Sequence, residues 1–274
     1  MNHTSTLPPE VDALTRTYLD LVDTALPGFV EELYVVGSTA LGAWQPPHSD
    51  VDTMIVVSES ITADHLRALE GVHEALPASP KLDGVYLERP AFDARVSDRR
   101  VTPFVVDGNL KTDKACGELT PVVWLVLSRY GVAVRGPSPA ELGIAEDPEA
   151  VRRYNLDNLR HYWQPLASEI RTELAGLPDA EPAEPESLAW AMLGPARLHY
   201  TLMYDDIVSK AGAACHVAAH FPAWADLADR AARFREGATV QTTIADLRDA
   251  ADSIDAIAED AWRRFGADAG SPRG

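Results

Sequence analysis

Residues 33–57 read LYVVGSTALGAWQPPHSDVDTMIVV, in which two apolar, β-branched runs flank a Gly-Ser pair and an Asp-Val-Asp triplet. The pattern predicts a strand that ends at Gly37, a short helical segment, and a second strand that carries Asp50 and Asp52. Because alternate side chains of a strand share a face, the two carboxylates are expected to point together. Neighbouring carboxylates favour a divalent cation, and Mg²⁺ suits a few carboxylates combined with substrate phosphates.

The Gly37-Ser38 pair precedes these carboxylates and is suited to binding a phosphate. Gly37 has no side chain, so backbone and phosphate can approach closely. Ser38 offers a hydroxyl and opens a helical segment, whose N–H groups and dipole favour an anion. A solvated surface turn could carry the same Ser-Asp-Val-Asp residues, but the strand, Gly-Ser pair and helical segment before them favour a nucleotide site.

The two halves of the chain differ in periodicity. The first half alternates predicted strands and helices, with strands over 33–37, 51–57, 82–88 and 102–106 and helices over 11–26, 62–76 and 118–130. The second half is Ala-rich and helical in pattern over 147–176, 186–219, 221–235 and 239–265. The expected fold class is α+β: an N-terminal α/β domain with a small mixed sheet (1–145), a C-terminal all-helical bundle (146–266), and a disordered tail (267–274).

Composition narrows the possible partners. With 42 acidic and 24 basic residues, the formal net charge is −18. Nucleic-acid binders need a basic face, so no nucleic-acid partner is expected. No apolar run is long enough for a membrane span, and the N-terminus does not resemble a signal peptide. Cys116 and Cys215 match no zinc or redox spacing, and two free thiols are typical of a reducing, cytoplasmic location. A monomer is expected.

The order and spacing of the first motif resemble those of nucleotidyltransferases of the DNA polymerase β type. Their signature is Gly-Ser, about ten residues, and Asp-x-Asp with apolar neighbours; here eleven residues separate Ser38 from Asp50. The resemblance implies two Mg²⁺ ions at Asp50 and Asp52, ATP as co-substrate, and a third carboxylate on a neighbouring strand. Asp83 and Glu88 are both candidates, and the resemblance favours Asp83, at the start of its strand, as general base or metal ligand.

A second motif, RLHYTLMYDDIVSK (197–210), resembles the aminoglycoside 3''-adenylyltransferases that modify streptomycin and spectinomycin. The residues that match are Arg197, Tyr200, Asp206, Ile207, Val208, Ser209 and Lys210. The resemblance implies that Asp206 contacts a cationic antibiotic and that Ser209 and Lys210 lie at the nucleotide phosphates. Alternatively, Asp205-Asp206 simply ends one helix and Ser209 caps the next.

Two residues of this motif depart from the family pattern. His199 stands where the family has Trp, which would remove a stacking surface at the acceptor site. Asp205 replaces Gly, and its negative charge favours a cationic acceptor. His199, Asp205 and Asp206 are therefore the candidate acceptor-binding residues.

Together the motifs predict Mg²⁺-dependent transfer of AMP from ATP to a hydroxyl of an aminoglycoside-type antibiotic, giving resistance. The acceptor is expected in a cleft formed with the helical domain. One alternative is a nucleotidyltransferase with another small-molecule or protein acceptor. Another is a nucleotide-binding protein without catalytic activity, which the clustered carboxylates argue against.

Overall fold

The computed structural model describes residues 7–46, 49–97 and 100–266. The chain divides into two compact units, Met1–Asp147 and Pro148–Gly274. The tail predicted to be disordered, 267–274, lies outside the described residues.

The first unit is built on one six-stranded mixed sheet, with strand order β5-β4-β3-β2-β1-β6. Its strands are β1 (Val30–Val35), β2 (Val51–Val57), β3 (Leu82–Glu88), β4 (Phe104–Val106), β5 (Asn109–Lys111) and β6 (Val132–Arg135). Its helices are α1 (Pro9–Ala25), α2 (Gly37–Ala40), α3 (Ala63–Glu74), α4 (Arg89–Asp93), α5 (Pro121–Tyr130) and α6 (Pro139–Leu142). β2 and β3 run parallel, whereas the other neighbouring strands pair antiparallel.

The sheet core follows from nearly continuous apolar runs in β2 and β3, which suit strands covered on both faces. A buried polar chain links the covering helices to the sheet. The Tyr86 hydroxyl on β3 lies 2.9 Å from the Tyr18 hydroxyl on α1 and 2.8 Å from Nε2 of His73 on α3. These contacts supply the hydrogen bonds that buried hydroxyl and imidazole groups require.

The second unit is a helical assembly over residues 148–266. Its α-helices are α7 (Pro148–Asn158), α8 (Gln164–Glu173), α9 (Pro185–Tyr204), α10 (Lys210–His220), α11 (Ala225–Arg235) and α12 (Ile244–Phe265). A π-helical segment, Leu159–Trp163, joins α7 to α8, and a 3₁₀ turn, Pro222–Trp224, precedes α11. Many buried alanines let α9 pack closely with α10, α11 and α12.

The predicted α+β class is confirmed, whereas several element boundaries differ. β5 and β6 were not predicted, because three- and four-residue strands carry little periodic signal. The helix predicted over 186–219 is two helices, since Asp205 adopts a left-handed backbone with φ 51°. Among the helices of the described ranges, none has the length and apolar character of a bilayer span.

Candidate active site

The parallel pairing of β2 and β3 places Asp52 beside Asp83. These residues are register partners, and Thr53 pairs with Gly84 in the next position. The Thr53 hydroxyl donates to the Asp83 carbonyl oxygen at 2.8 Å. A Cβ atom on Gly84 would collide with the Thr53 backbone, so glycine lets the two strands stay in contact. Two of the predicted carboxylates therefore share one end of the sheet.

The sequence predicted Asp50 on the second strand, but Asp50 lies just before the first residue of β2. The next residue, Val51, donates its N–H to the Lys81 carbonyl oxygen at 2.9 Å. This bond joins the entry of β2 to the entry of β3. Asp50 is close enough to Asp83 for its negative charge to contribute to a raised pKa of Asp83. The Asp50, Asp52 and Asp83 carboxylates thus belong to one acidic region.

Gly37 provides the space that the Asp52 carboxylate occupies. Its backbone is left-handed, with φ 61°, and a Cβ atom there would overlap the Asp52 carboxylate. Val36 donates its N–H to the Asp52 carbonyl oxygen at 2.9 Å, which holds the Gly37 turn against β2. Ser38 follows in α2, which is a single turn. The predicted helix dipole is accordingly weak here, and local N–H and hydroxyl groups are the available anion donors.

The turn between β4 and β5 orients the Asp83 side chain. Asp107 and Gly108, both with positive φ, donate their N–H groups to its two carboxylate oxygens at 2.8 Å each. Asp83 is 9% exposed. Burial raises the pKa of Asp83, the two N–H groups oppose that rise, and the Asp50 charge adds to it, so the pKa stands above its ordinary value. A carboxylate held in this way is oriented and can accept a proton.

The donor set suits an open Mg²⁺ site rather than a closed cage. Within the described ranges, no three His, Cys, Asp or Glu side chains converge on one point. Asp83 stays a candidate for base or metal ligand, because each of its oxygens accepts one backbone N–H and keeps a second lone pair. Mg²⁺ is usually held by one or two carboxylates plus substrate phosphates, and Asp50 and Asp52 can provide the two carboxylates.

Glu88, the alternative third carboxylate, lies at the other end of β3. It pairs with Val57, the last residue of β2, and accepts the Ile61 N–H at 3.2 Å. Glu88 is thus five positions along the strand from the Asp52–Asp83 pair, and the structure favours Asp83 of the two candidates.

Glu118 is an additional acidic residue that the motifs do not include. Its side chain is exposed, yet partial desolvation and the charge of Asp83 together raise the pKa of Glu118. Glu118 precedes Thr120, whose hydroxyl accepts the Val123 N–H and caps α5. Sequence alone gave no sign of this placement, since Glu118 and Asp83 are 35 residues apart.

The second motif forms the turn between α9 and α10. Asp205 ends α9, and Asp206 Oδ1 accepts the N–H of Ile207 at 2.8 Å. Ser209 caps α10 by accepting the Gly212 N–H at 3.1 Å, and Lys210 is the first residue of that helix. The helix-end interpretation of this segment is therefore correct, and it is compatible with binding because the turn also collects two carboxylates and an ammonium.

A cavity of about 310 Å³ within the helical unit includes Asp205 in its wall. Its lining combines apolar and charged side chains: Pro148, Val151, Arg152, Thr201, Leu202, Asp205, Arg264 and Phe265. This volume is at the lower end of the range typical of small-molecule sites.

His199 belongs to the core of the helical unit and not to a surface, which corrects its predicted acceptor role. It is 0% exposed, with Nε2 2.9 Å from Asp260 Oδ2 and Nδ1 2.8 Å from His216 Nε2. Because the Asp260 carboxylate accepts the Nε2 proton, neutral His199 must accept at Nδ1, and His216 donates. The sequence gave the wrong role for His199 because its burial depends on α10 and α12, which are distant from it in the chain.

Comparison with known proteins defines the class of the first unit. Residues 7–83 match the model of the nucleotidyltransferase domain family, which spans Gly37, Asp50, Asp52 and Asp83. The chain therefore carries a nucleotidyltransferase domain, a domain of group-transferring enzymes, and the predicted resemblance is confirmed.

A solved structure is similar in fold to this chain over most of its length. The chain is similar to spectinomycin adenyltransferase AAD(9) from Enterococcus faecialis, solved with ATP and spectinomycin, at a TM-score of 0.66 and 14% identity. The match covers 90% of this chain and 98% of that one. A similarity at 14% identity establishes the fold alone. No curated protein matches the chain.

The Gly37–Asp52 contact predicts that Gly37→Ala is more damaging than Gly42→Ala. Both glycines have positive φ, but only a Cβ at Gly37 meets another atom, the Asp52 carboxylate. Gly42→Ala should cost about 1 kcal/mol of backbone strain, and Gly37→Ala should cost at least about 1 kcal/mol more. Urea unfolding of the two variants measures this difference, and equal losses would show that the contact is unimportant.

The buried histidines predict a loss of stability in acid. Burial lowers the pKa of His216 to about 4 from the ordinary 6.5, and burial also lowers the pKa of His199. Between pH 6.5 and about 4 the unfolded imidazole binds a proton that folded His216 does not, so stability is full above this window and falls within it, by roughly 1–3 kcal/mol.

Urea unfolding between pH 7 and pH 4.5 measures this dependence. His216→Leu should have a shallower loss with acid than the wild type, even if it is less stable at pH 7. His161→Gln removes an exposed imidazole and should keep the wild-type dependence. Parallel pH profiles for wild type and His216→Leu would contradict the assignment.

Proposed function

We propose that this protein transfers AMP from ATP to a hydroxyl of a cationic, aminoglycoside-type antibiotic such as spectinomycin or streptomycin, in a Mg²⁺-dependent reaction that confers resistance. One observation carries the proposal: the parallel register sets Asp52 beside an oriented Asp83, with the Gly37 turn packed against the Asp52 carboxylate. The likeness in fold to an adenyltransferase solved with ATP and spectinomycin supports the choice of substrates.

In this proposal the chain's own residues position the reactants. Asp50 and Asp52 would hold Mg²⁺, which supplies charge neutralisation at the phosphates. Asp83 would accept the proton of the acceptor hydroxyl, a role that its raised pKa and fixed carboxylate suit. The hydroxyl oxygen then forms a bond to the α-phosphorus, and the bond from that phosphorus to the pyrophosphate oxygen breaks. Pyrophosphate leaves, and Gly37 and Ser38 contribute backbone and hydroxyl groups to the phosphates.

The helical unit is proposed to supply acceptor and phosphate contacts from the α9–α10 turn. Asp205 and Asp206 would attract the ammonium groups of the acceptor, and the cavity beside Asp205 offers room for a small molecule. Lys210 is suited to a phosphate because its ammonium is a mobile point charge. The formal charge of −18 further favours a cationic acceptor over nucleic acid.

Mass spectrometry of acceptors incubated with the protein, ATP and Mg²⁺ tests the reaction. Spectinomycin and streptomycin head the panel, and a product heavier by one AMP unit is expected. Asp50→Asn and Asp52→Asn should each lower turnover by at least about a hundredfold, because several kcal/mol of charge stabilisation are lost. Asp113→Asn removes an exposed carboxylate of the same unit and should keep turnover.

Different outcomes of this experiment test the metal assignment, the class of acceptor and the nucleotide donor. Full turnover in a folded Asp52→Asn variant would overturn the metal assignment. Binding of ATP with Mg²⁺ but no adduct on any antibiotic would overturn the acceptor class and favour another small-molecule or protein acceptor. Failure to bind ATP would contradict ATP as the nucleotide donor.

The acceptor role of the α9–α10 turn predicts a selective effect of Asp206→Ala. Loss of the carboxylate should weaken antibiotic binding by roughly tenfold, the value of one charge-assisted contact, and ATP binding by less than twofold. Calorimetric titrations with antibiotic and with ATP measure both, with Asp229→Ala, at an exposed residue of α11, as the control. Equal losses for the two ligands would contradict the role.

A further inference from the structure

Lys81 is a cationic side chain at the acidic end of the sheet, and the proposed reaction gives it no part. It directly precedes β3, two residues before Asp83, and its carbonyl oxygen accepts the Val51 N–H. Its ammonium lies 3.1 Å from Asp107 Oδ1. Lys81 is therefore tied by backbone to the entry of β2 and by its side chain to the turn that orients Asp83.

The charge of Lys81 acts on three carboxylates at once. The hydrogen bond to Asp107 raises the pKa of Lys81, and the charges of Asp107, Asp50 and Asp83 contribute in the same direction. The ammonium thus lies within the field of one candidate metal ligand and of the candidate base. Carboxylates gathered in this way repel one another unless a cation lies nearby.

The ion pair between Lys81 and Asp107 lies at the protein surface. The Lys81 side chain is 41% exposed, and its partner Asp107 is 71% exposed. An exposed ion pair of this kind contributes little to stability, and a lysine head group on four methylenes changes position easily. A tightly held structural cation would be buried with fixed partners, which is not the arrangement here.

We propose that the Lys81 ammonium serves as the counterion of the Asp50–Asp83 region when no metal is bound, and that it competes with Mg²⁺ for this region until the cation and its nucleotide arrive together. The inference rests on the proposed function, because it requires that Asp50 and Asp52 bind Mg²⁺. Asp107 draws the ammonium aside, so the turn that orients Asp83 also sets how strongly Lys81 opposes the metal. The protein would thereby bind Mg²⁺ weakly by itself and more strongly when ATP phosphates add negative charge.

Calorimetric titration with Mg²⁺ alone, without nucleotide, tests this competition. Lys81→Gln should bind Mg²⁺ roughly three- to tenfold more tightly than the wild type, because one positive charge within several ångströms is removed. Lys114→Gln makes the same change of charge at an exposed loop residue of the same unit and should stay within about twofold. Lys81→Arg should retain the wild-type affinity within about threefold.

A double-mutant cycle with Asp107 gives a difference between backgrounds that net charge alone does not predict. Asp107→Asn removes the partner that holds the ammonium aside, so Mg²⁺ affinity should fall in the wild-type background. In the Lys81→Gln background the same substitution should have a smaller effect, because no ammonium remains to be released. Equal effects in both backgrounds would overturn the proposal.

The failure of this inference differs from the failure of the proposed function. If Mg²⁺ binds the wild type, is lost in Asp52→Asn, and binds Lys81→Gln no more tightly than Lys114→Gln, the role of Lys81 is overturned and the metal site stands. If Mg²⁺ binds none of these proteins, either alone or with ATP, both are overturned.

Discussion

The contact between β2 and β3 is the interaction on which the candidate active site depends. Only this pair of neighbouring strands runs parallel among the described residues, so only here do two adjacent strands begin at the same end of the sheet. The Thr53 hydroxyl and the absence of a side chain at Gly84 keep the strands in close contact. A slip of one residue would turn Asp83 to the opposite face and separate it from Asp52.

Carboxylates gathered at one place repel one another. The chain accommodates them with backbone N–H groups, a glycine and one lysine. Backbone N–H groups of the Asp107-Gly108 turn hold Asp83, the missing side chain of Gly37 leaves space for Asp52, and the Lys81 ammonium pairs with Asp107. Buried arginines would instead have filled this region with large, rigid cationic side chains.

The sequence predicted those features that a short segment determines. The Gly37–Asp52 motif lies within sixteen residues, and its apolar pattern sufficed to place Asp52 on β2, although Asp50 lies just before the strand. The turn that orients Asp83 and the nearby Glu118 depend on contacts between distant segments, which periodicity does not report. His199 was misassigned for the same reason: its neighbours His216 and Asp260 come from two other helices, and only the packed structure shows that it is buried.

The π-helical segment Leu159–Trp163 has a consequence for how the helical unit responds to a change of chain length. A π-helical turn contains one residue more than an α-helical turn. Five π-helical residues and four α-helical residues therefore turn the chain through about the same angle, roughly 400°. Removing one residue from this segment would give a uniform helix in which Val151 and Leu156 of α7 still face the core. The same deletion in an ordinary α-helix would rotate one half against the other by about 100°. The segment is thus a place where the helical unit can accept a change of chain length.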